Sequence, residues 1–452
     1  MPLDVIVLAA GLGKRMHSSL PKVLHPLGGR PLLAYVLDTA RELGARKTAV
    51  VHGHGADAVH SAFASTDAHW VLQAEQLGTG HAVQQALPFV GNDAQVLILY
   101  GDVPLVRTAT LKRLLDAAGD GVAIITAELD DPRGYGRIVR DRAGRVERIV
   151  EEKDAGAAER AIREINAGLM ALPGRRLAGW LAAIGNRNAQ KEYYLTDVVS
   201  LALRDGVAVN AVKVEDAMEV AGVNSKRELA LLERALQRRH AERLLEEGVS
   251  LADPARLDVR GTLACAADVA IDVNCVFEGR VSLGSRVRIG ANCVVRNVTI
   301  GDDSEVLPFS HLEDSEIGAR CRVGPYARLR PGASLADEVH IGNFVEVKAS
   351  RLGRASKANH LSYIGDAELG ARVNVGAGTI TCNYDGAAKH RTIIEDDCFI
   401  GSDATLVAPV RIARGSYIGA GSTINKDTPA GQLTLARARQ VSIPGWKPPK
   451  KS

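Results

Sequence analysis

The chain has 452 residues, more than one hydrophobic core supports, so two or three domains are expected. Its 56 basic and 53 acidic residues leave a net charge of +3, which gives no global attraction for nucleic acid or for an anionic membrane surface. No apolar run reaches the ~18–20 residues that span a bilayer, and the opening MPLDVIVLAAG lacks the features of a secretory leader, so a soluble cytoplasmic protein is expected. Six cysteines, at 265, 275, 293, 321, 382 and 398, form no CxxC pair or zinc spacing and read as small buried thiols in a reducing compartment.

Leu3 to Ala9 is a short apolar run of the kind buried on both faces of a parallel sheet. It runs into Gly11, Gly13, Lys14, Arg15 and Met16, and then into Pro21-Lys22-Val23-Leu24. A strand feeding a Gly-rich turn brings backbone N–H groups close to phosphates, while Lys and Arg add mobile positive charge. The GKS/T ending of a Walker A loop is missing, as is the third glycine of a dinucleotide fingerprint, so the glycines alone also read as an ordinary strand-to-helix turn. Alternating units follow: a helix over 31–43, strands over 48–52 and 69–73, a helix over 79–87 and a strand over 95–100. This alternation predicts an open parallel α/β sheet with ligands at the carboxyl ends of its strands. Gln73 ends one strand before the turn Gly78-Thr79-Gly80, and Tyr100-Gly101-Asp102 ends another. Asp102 reads either as a helix N-cap or as a ligand for Mg²⁺, which needs only one or two protein oxygens when phosphates and water supply the rest.

From Ser225 to Glu247 the residues Leu229, Leu232, Leu236, His240 and Leu244 recur at three- and four-residue steps, predicting an amphipathic connecting helix on which His240 is simply packed. Between Val281 and Gly376 a branched apolar residue followed by glycine returns ten times, mostly stepping by six where consecutive, as at Leu283-Gly284 and Ile289-Gly290. A hexapeptide period predicts a parallel β-helix whose apolar residues point into an axial core and whose glycines supply backbone freedom at the corners.

Departures from the repeat mark candidate chemistry. Arg328-Leu329-Arg330 places two cations at one corner, and Glu346-Val347-Lys348 alternates charge with an apolar residue. His360 precedes Tyr363 by three residues, and Asn374 precedes the excursion Gly376 to Gly386, which contains Ala377, Cys382, Asn383 and Tyr384. An excursion between coils is where a solenoid usually carries function. His360 alone reads as a structural hydrogen-bonding residue; His, Lys, Arg, Asn and Tyr together on successive coils favour a site. Glu346 reads as a partner of His360 or as a solvated carboxylate. The dipeptide resumes at Ile400-Gly401 and Ile418-Gly419, and the tail ARARQVSIPGWKPPKKS reads as an irregular arm, either solvated or set against coenzyme phosphates or a neighbouring subunit.

The stretches VLAAGLGKRMHSSLPKVL, LQAEQLGTGHA and YGDVPL resemble the sugar-nucleotide pyrophosphorylases. With Gly134-Tyr135-Gly136-Arg137, Glu151-Glu152-Lys153-Asp154, Asn166-Ala167-Gly168, Tyr193-Tyr194-Leu195-Thr196 and Gly222-Val223-Asn224, followed by a hexapeptide β-helix, the whole chain resembles the bacterial bifunctional N-acetylglucosamine-1-phosphate uridylyltransferase and glucosamine-1-phosphate N-acetyltransferase family. The resemblance implies an α/β chain: an N-terminal Rossmann-like nucleotidyltransferase domain over 1–226, a helical linker over 227–248, and a left-handed parallel β-helix of hexapeptide repeats with a C-terminal tail over 249–452.

It further implies that Leu8, Ala9, Ala10, Gly11, Gln73, Gly78, Thr79, Tyr100 and Gly101 meet the nucleotide, that Arg15 and Lys22 hold the triphosphate of UTP, and that Asp102 and Asn224 bind Mg²⁺. Gly136, Glu151, Asn166, Tyr194 and Thr196 are implied to hold the amino sugar, with Glu152 standing beside Glu151 as an alternative. In the β-helix His360 is implied as general base, Arg330 and Lys348 as holders of glucosamine 1-phosphate, and Tyr363, Asn374, Asn383 and Tyr384 as the walls of that pocket. Asn383 orients the base and Ser402 donates to the thioester oxyanion in this reading. Ala377, Ser402, Ala420 and Arg437, with Arg439 as an alternative, line the path of acetyl-CoA. Membership also implies a homotrimer with acetyl-transfer sites between subunits, acting on small molecules, without nucleic acid or membrane. Two rival readings are a single-activity pyrophosphorylase with a regulatory β-helix and a non-catalytic scaffold. The cluster around His360 opposes the first, and the set Arg15, Lys22, Asp102 and Asn224 opposes the second.

Overall fold

The computed structural model describes residues 1–449 apart from Leu12 and His54. Leu12 of the Gly-rich turn and the terminal lysines Lys450 and Lys451 lie outside the described residues. The chain forms two compact units, Met1–Leu236 and Gln237–Ser452.

In the first unit the strands stand in the order Val209–Lys213, Val122–Glu128, Glu164–Pro173, Gln95–Tyr100, Leu3–Leu8, Lys47–His52, His69–Leu72. All neighbours are parallel except Glu164–Pro173, which is antiparallel to both of its partners. The four strands expected from the sequence pair in parallel as predicted, and Glu164–Pro173, outside that set, is antiparallel for a local reason. Val122–Glu128 and Glu164–Pro173 are sequential and adjacent, joined through the hairpin Gly136–Arg140 and Val146–Val150 instead of a crossover helix. The central strands are apolar at consecutive positions because both faces are covered. Val5, Val7, Leu97 and Leu99 pack under the helices Leu32–Glu42 and Thr108–Ala118. Ile6, Leu8, Val96 and Ile98 pack under Thr79–Ala86, Gly174–Ala183 and Asp197–Arg204. Each buried aliphatic side chain contributes about 1.5–3 kcal/mol, so the two layers fix the plane from which the strand ends project. The predicted amphipathic helix is Lys226–Glu246; its Leu232 and Leu236 pack with Met16, Leu27 and Leu32.

The second unit is a parallel β-helix. One ladder of eleven two- to four-residue strands runs from Ser250–Leu251 to Leu433–Thr434, and a fifteen-stranded sheet supplies the remaining faces. The early coils carry one long strand around a corner, as in Leu257–Cys265, and His311–Ile317 then pairs with both Arg328–Leu329 and Ser334–Leu335, so later coils have three separate short strands. Equivalent residues are usually 17 or 18 apart, as for Arg286 and Asp303 or Arg320 and Glu338. Inward Ile, Val and Leu side chains from every coil form one continuous core. Cys275, Cys293, Cys321 and Cys398 share that interior; each thiol donates to a carbonyl of the next coil, and burial pushes Cys275 up to about 12 and Cys293 up to about 11. They are inert packing residues.

The role expected for the repeat glycines is corrected. Among the ten, only Gly324 has a positive φ. At most of these corners the left-handed residue stands two places further on, as at Arg286, Asn292, Asp303, Arg320, Phe344, Ala355 and Arg372, while after Gly365 it is the very next residue, Asp366. Glycine is needed instead because the next coil lies directly above it: a Cβ on Gly301 would sit 2.7 Å from the carbonyl carbon of Gly318. Gly301→Ala is therefore expected to lower stability by about 1–3 kcal/mol, whereas Ala355→Gly, relieving a φ of 60, should raise it by about 0.5–1 kcal/mol. Urea unfolding midpoints check both, and a loss on Ala355→Gly would contradict this account.

Candidate functional site

A cavity of about 450 Å³ opens at the carboxyl ends of the parallel strands of the first unit. Its lining includes Leu8, Ala9, Ala10, Gly11, Lys22, Gln73, Gly78, Thr79, Tyr100, Asp102, Gly136, Glu151, Asn166, Tyr194, Thr196 and Asn224. Gly101 lies just behind the wall: its N–H donates to the Leu8 carbonyl at 2.9 Å, and a side chain there would press on Ala9, Val23 and Leu33. Arg15 is exposed on the one-turn helix Lys14–Met16 and is not among the lining residues. Gly13, with φ 58, lets that turn pass over Lys22, whose Cβ is 3.0 Å from where a Gly13 side chain would begin.

Lys22 Nζ donates to Asp102 Oδ2 at 2.5 Å and to Asn224 Oδ1 at 3.2 Å. Three segments distant in sequence thus place two hard oxygen donors around one cation. Asp102 is not a helix N-cap, because the following helix begins at Thr108 after Arg107. A carboxylate and an amide oxygen with this shared focus fit Mg²⁺, provided the ammonium moves aside towards phosphate oxygens. No group of three or more His, Cys, Asp or Glu suited to a metal occurs among the described residues.

The opposite wall comes from the hairpin and from a bulge. The pairing of Glu164–Pro173 with Val122–Glu128 slips between Asn166 and Met170. Gly168, at φ 83, leaves room for the Tyr100 ring, and its N–H donates to Asn166 Oδ1 at 3.1 Å. Thr196 Oγ1 donates to Glu151 Oε1 at 2.9 Å. Burial raises the Glu151 pKa, and the Thr196 hydrogen bond only partly offsets it. Glu152 turns away and pairs at 2.7 Å with Arg137, whose side chain is 1% exposed, so Glu151 is the carboxylate of the cavity. Gln76 and Tyr135 also line it, although neither was singled out in the sequence. Gln76 Nε2 donates to the Ala10 carbonyl at 3.0 Å and so pins the Gly-rich turn, a contact between distant loops that carries no spacing signal.

In the second unit the candidate residues divide into two columns. One contains Arg330, Glu346, Lys348, Tyr363, Asp366 and Asn383. Arg330 Nη1 donates to Glu346 Oε1 at 2.7 Å, Lys348 Nζ lies 3.6 Å from Asp366 Oδ2, and the Asn383 amide donates to Asp366 and, at 3.5 Å, to the Tyr363 hydroxyl. Lys389, missed in the sequence, lies beside Lys348, and the closeness of that second ammonium lowers its pKa. Three cations against two carboxylates make an anion cradle. Lys389 and the exposed Tyr384 belong to the excursion, where equivalent residues Val375 and Ile400 pair across a step of 25, the same step that separates Arg372 from its partner Asp397. Asp385 folds it by accepting from the N–H groups of Ala387 and Ala388.

The other column climbs a different corner through Asn343, His360, Ala377, Ser402, Ala420 and Arg437, as the inter-coil hydrogen bonds record. Asn343 Oδ1 lies 2.8 Å from His360 Nδ1, and Arg437 Nη1 donates to the Ala420 carbonyl at 2.8 Å, while Arg439 lies further out in the exposed tail. Within this one chain neither Asn383 nor Glu346 bonds to His360, and Asn343 does. Asn374 is half-buried on the ladder between Lys357 and Phe399. No hydrogen bond or ion pair among the described residues joins the two columns.

Residues 5–251 match the MobA-like NTP transferase domain family, residues 259–362 the GMPPB C-terminal domain, and residues 391–426 the bacterial transferase hexapeptide (six repeats). The chain is 59% identical over 449 residues to the Bifunctional protein GlmU of Chromobacterium violaceum, covering 99% of both. It is 60% identical over 450 residues to the protein of that name from Aromatoleum aromaticum, again covering 99% of each. A solved putative glucose-1-phosphate thymidylyltransferase from Bacillus anthracis, in complex with a sucrose, is 18% identical with a TM-score of 0.42, over 51% of this chain and 95% of that one.

The raised pKa of Glu151 has a thermodynamic consequence. A carboxyl whose folded pKa exceeds its unfolded value favours folding below that unfolded value, 4.5, and the contribution is lost as pH rises through the folded pKa. Glu151→Gln should therefore raise the melting temperature at pH 7 and leave it nearly unchanged at pH 4; an equal change at both would contradict the burial argument.

Proposed function

The chain belongs to the family of bifunctional GlmU proteins, and from that premise we propose how its two units divide the synthesis of UDP-N-acetylglucosamine. It is a bifunctional transferase that passes acetyl from acetyl-CoA to glucosamine 1-phosphate and then uridylyl from UTP to N-acetylglucosamine 1-phosphate, releasing pyrophosphate. The observation that carries the division is the pairing of a cavity focused on Lys22, Asp102 and Asn224 in one unit with a cation cradle and an imidazole column in the other.

In the first unit the phosphate of the sugar attacks the α-phosphorus of UTP, and no base or covalent intermediate is required. The residues align the two substrates and meet the developing charge. Gln73, Gly78 and Thr79 seat the base and ribose, and Gly136, Glu151, Asn166 and Thr196 seat the sugar. Lys22 leaves Asp102 for the phosphates, and Arg15 swings inward from its exposed turn to join it. Asp102 and Asn224 hold Mg²⁺, which when bound neutralises charge on the phosphate oxygens.

In the second unit Arg330, Lys348 and Lys389 bind the phosphate of glucosamine 1-phosphate, with Tyr363, Asn374, Asn383 and Tyr384 around the sugar. Asn343 accepts the Nδ1 proton of His360, leaving the Nε2 lone pair to take a proton from the attacking amine. Ser402 donates to the thioester oxyanion, and Ala377, Ala420 and Arg437 line the route of acetyl-CoA. The base and the cradle stand on different corners of one chain, so a second copy completes the site, and a homotrimer provides three such pairings. Both nucleotide and thioester are cytoplasmic metabolites, and there the enzyme works.

Thiol release from acetyl-CoA and pyrophosphate release from UTP, followed in one preparation, test the division. His360→Ala should lower the first at least ~100-fold and spare the second, and Asp102→Ala should do the reverse. Chelation by EDTA should stop pyrophosphate release alone. Pyrophosphate without any thiol release from wild type would make the β-helix regulatory, and absence of both products would leave a scaffold.

A further inference from the structure

Resting on the reading of the first unit as a UTP site, we infer that His81 fixes the hydrogen-bonding face that Gln73 turns to the nucleobase and so sets the preference for uracil over cytosine. Gln73 is 4% exposed and lines the cavity. A primary amide has a donating end and an accepting end, and only its partners decide which one is turned outward. Gln73 Nε2 lies 3.1 Å from the Gly78 carbonyl oxygen and 3.1 Å from His81 Nδ1. A backbone carbonyl only accepts, so the amide nitrogen must face Gly78. Its second N–H then meets His81, whose Nδ1 must be the unprotonated, accepting nitrogen. The ring proton of neutral His81 consequently sits on Nε2; because an imidazole cannot accept at both nitrogens, the Gln85 amide, whose Nε2 stands 3.1 Å from His81 Nε2, turns its oxygen to that proton instead.

Both N–H groups of Gln73 are thereby consumed inside the wall. Only Oε1 remains for the cavity, and it can only accept. Uracil presents N3–H, which donates to such an oxygen; cytosine presents an unprotonated N3, whose lone pair opposes it. The 4-amino group of cytosine donates from a position displaced along the ring, so it meets Oε1 only if the base shifts. Rotating the Gln73 amide to serve cytosine would abandon the bonds to Gly78 and His81 together. His81 itself is held by the start of its helix, where the Gly80 N–H donates to the Tyr193 carbonyl at 2.8 Å and Gly78 takes φ 108. His81 is a positioning residue: it touches Gln73 and is not among the cavity-lining residues.

The test measures kcat/KM for UTP and for CTP with N-acetylglucosamine 1-phosphate. His81→Gln, which keeps an acceptor, should hold the UTP-to-CTP ratio within about threefold of wild type. His81→Leu should lower that ratio about tenfold, the worth of one hydrogen bond. His81→Lys, which offers only donors and so draws Oε1 inward, should lower it furthest. A uniform loss of activity with both nucleotides, at an unchanged ratio, would overturn the inference and leave His81 a packing residue. Nitrogen-15 shifts of the wild-type ring supply a reading independent of any variant: an Nε2–H tautomer is expected, and Nδ1–H overturns the inference. Wild type that turns over neither UTP nor CTP would instead sink the underlying assignment of the cavity.

Discussion

Coils of the β-helix lie so close that at several corners no side chain fits, and the register of the solenoid follows from that contact. Gly301 faces the backbone of Gly318, and Gly318 faces that of Asp337. With the glycines fixed, a one-residue slip between coils would drive a Cβ into backbone, so register cannot drift. Fixed register turns a linear repeat into vertical columns. His360 meets Asn343, and Arg437 meets Ala420, because each stands one coil away from its partner. Residues separated by seventeen places in sequence are neighbours here by construction.

The two units reach preorganisation by different routes. In the first, strands buried on both faces hold their carboxyl ends in one plane, and loops supply Lys22, Asp102 and Asn224 around a common point. In the second, charge is balanced along a corner: Arg330 leans on Glu346 and Lys348 on Asp366, so the cradle keeps its shape before any phosphate arrives. In both, cations proposed to bind phosphate rest on carboxylates, Lys22 on Asp102 and Arg330 and Lys348 on Glu346 and Asp366, so these three side chains are already oriented.

Much of the fold was legible because periodicity survives translation into three dimensions. The six-residue step gave the β-helix, and alternation gave the α/β sheet. The antiparallel strand Glu164–Pro173 escaped, since an apolar strand looks alike in either direction. The glycines were located correctly and explained wrongly: sequence marks where a side chain is missing, and only the stacked backbone tells whether rotation or space required it. Among site residues, those at strand ends such as Gln73 and Asp102 were readable from position. Gln76, Lys389 and Asn343 were not, because each acts through a contact between distant segments. The orientation of Arg15 was likewise beyond spacing, which fixes a place on the chain and not the direction of a long side chain.

The excursion after Cys382 interrupts one coil while Val375 and Ile400 still pair as if nothing intervened. Its turn is closed by its own Asp385, and the core beneath it is unbroken. Length added at such a point costs only the slowly growing entropy of a longer loop. The scaffold therefore behaves as a rack with an interchangeable part: chemistry can be revised by mutation in one surface segment while the stack that carries it is inherited unchanged.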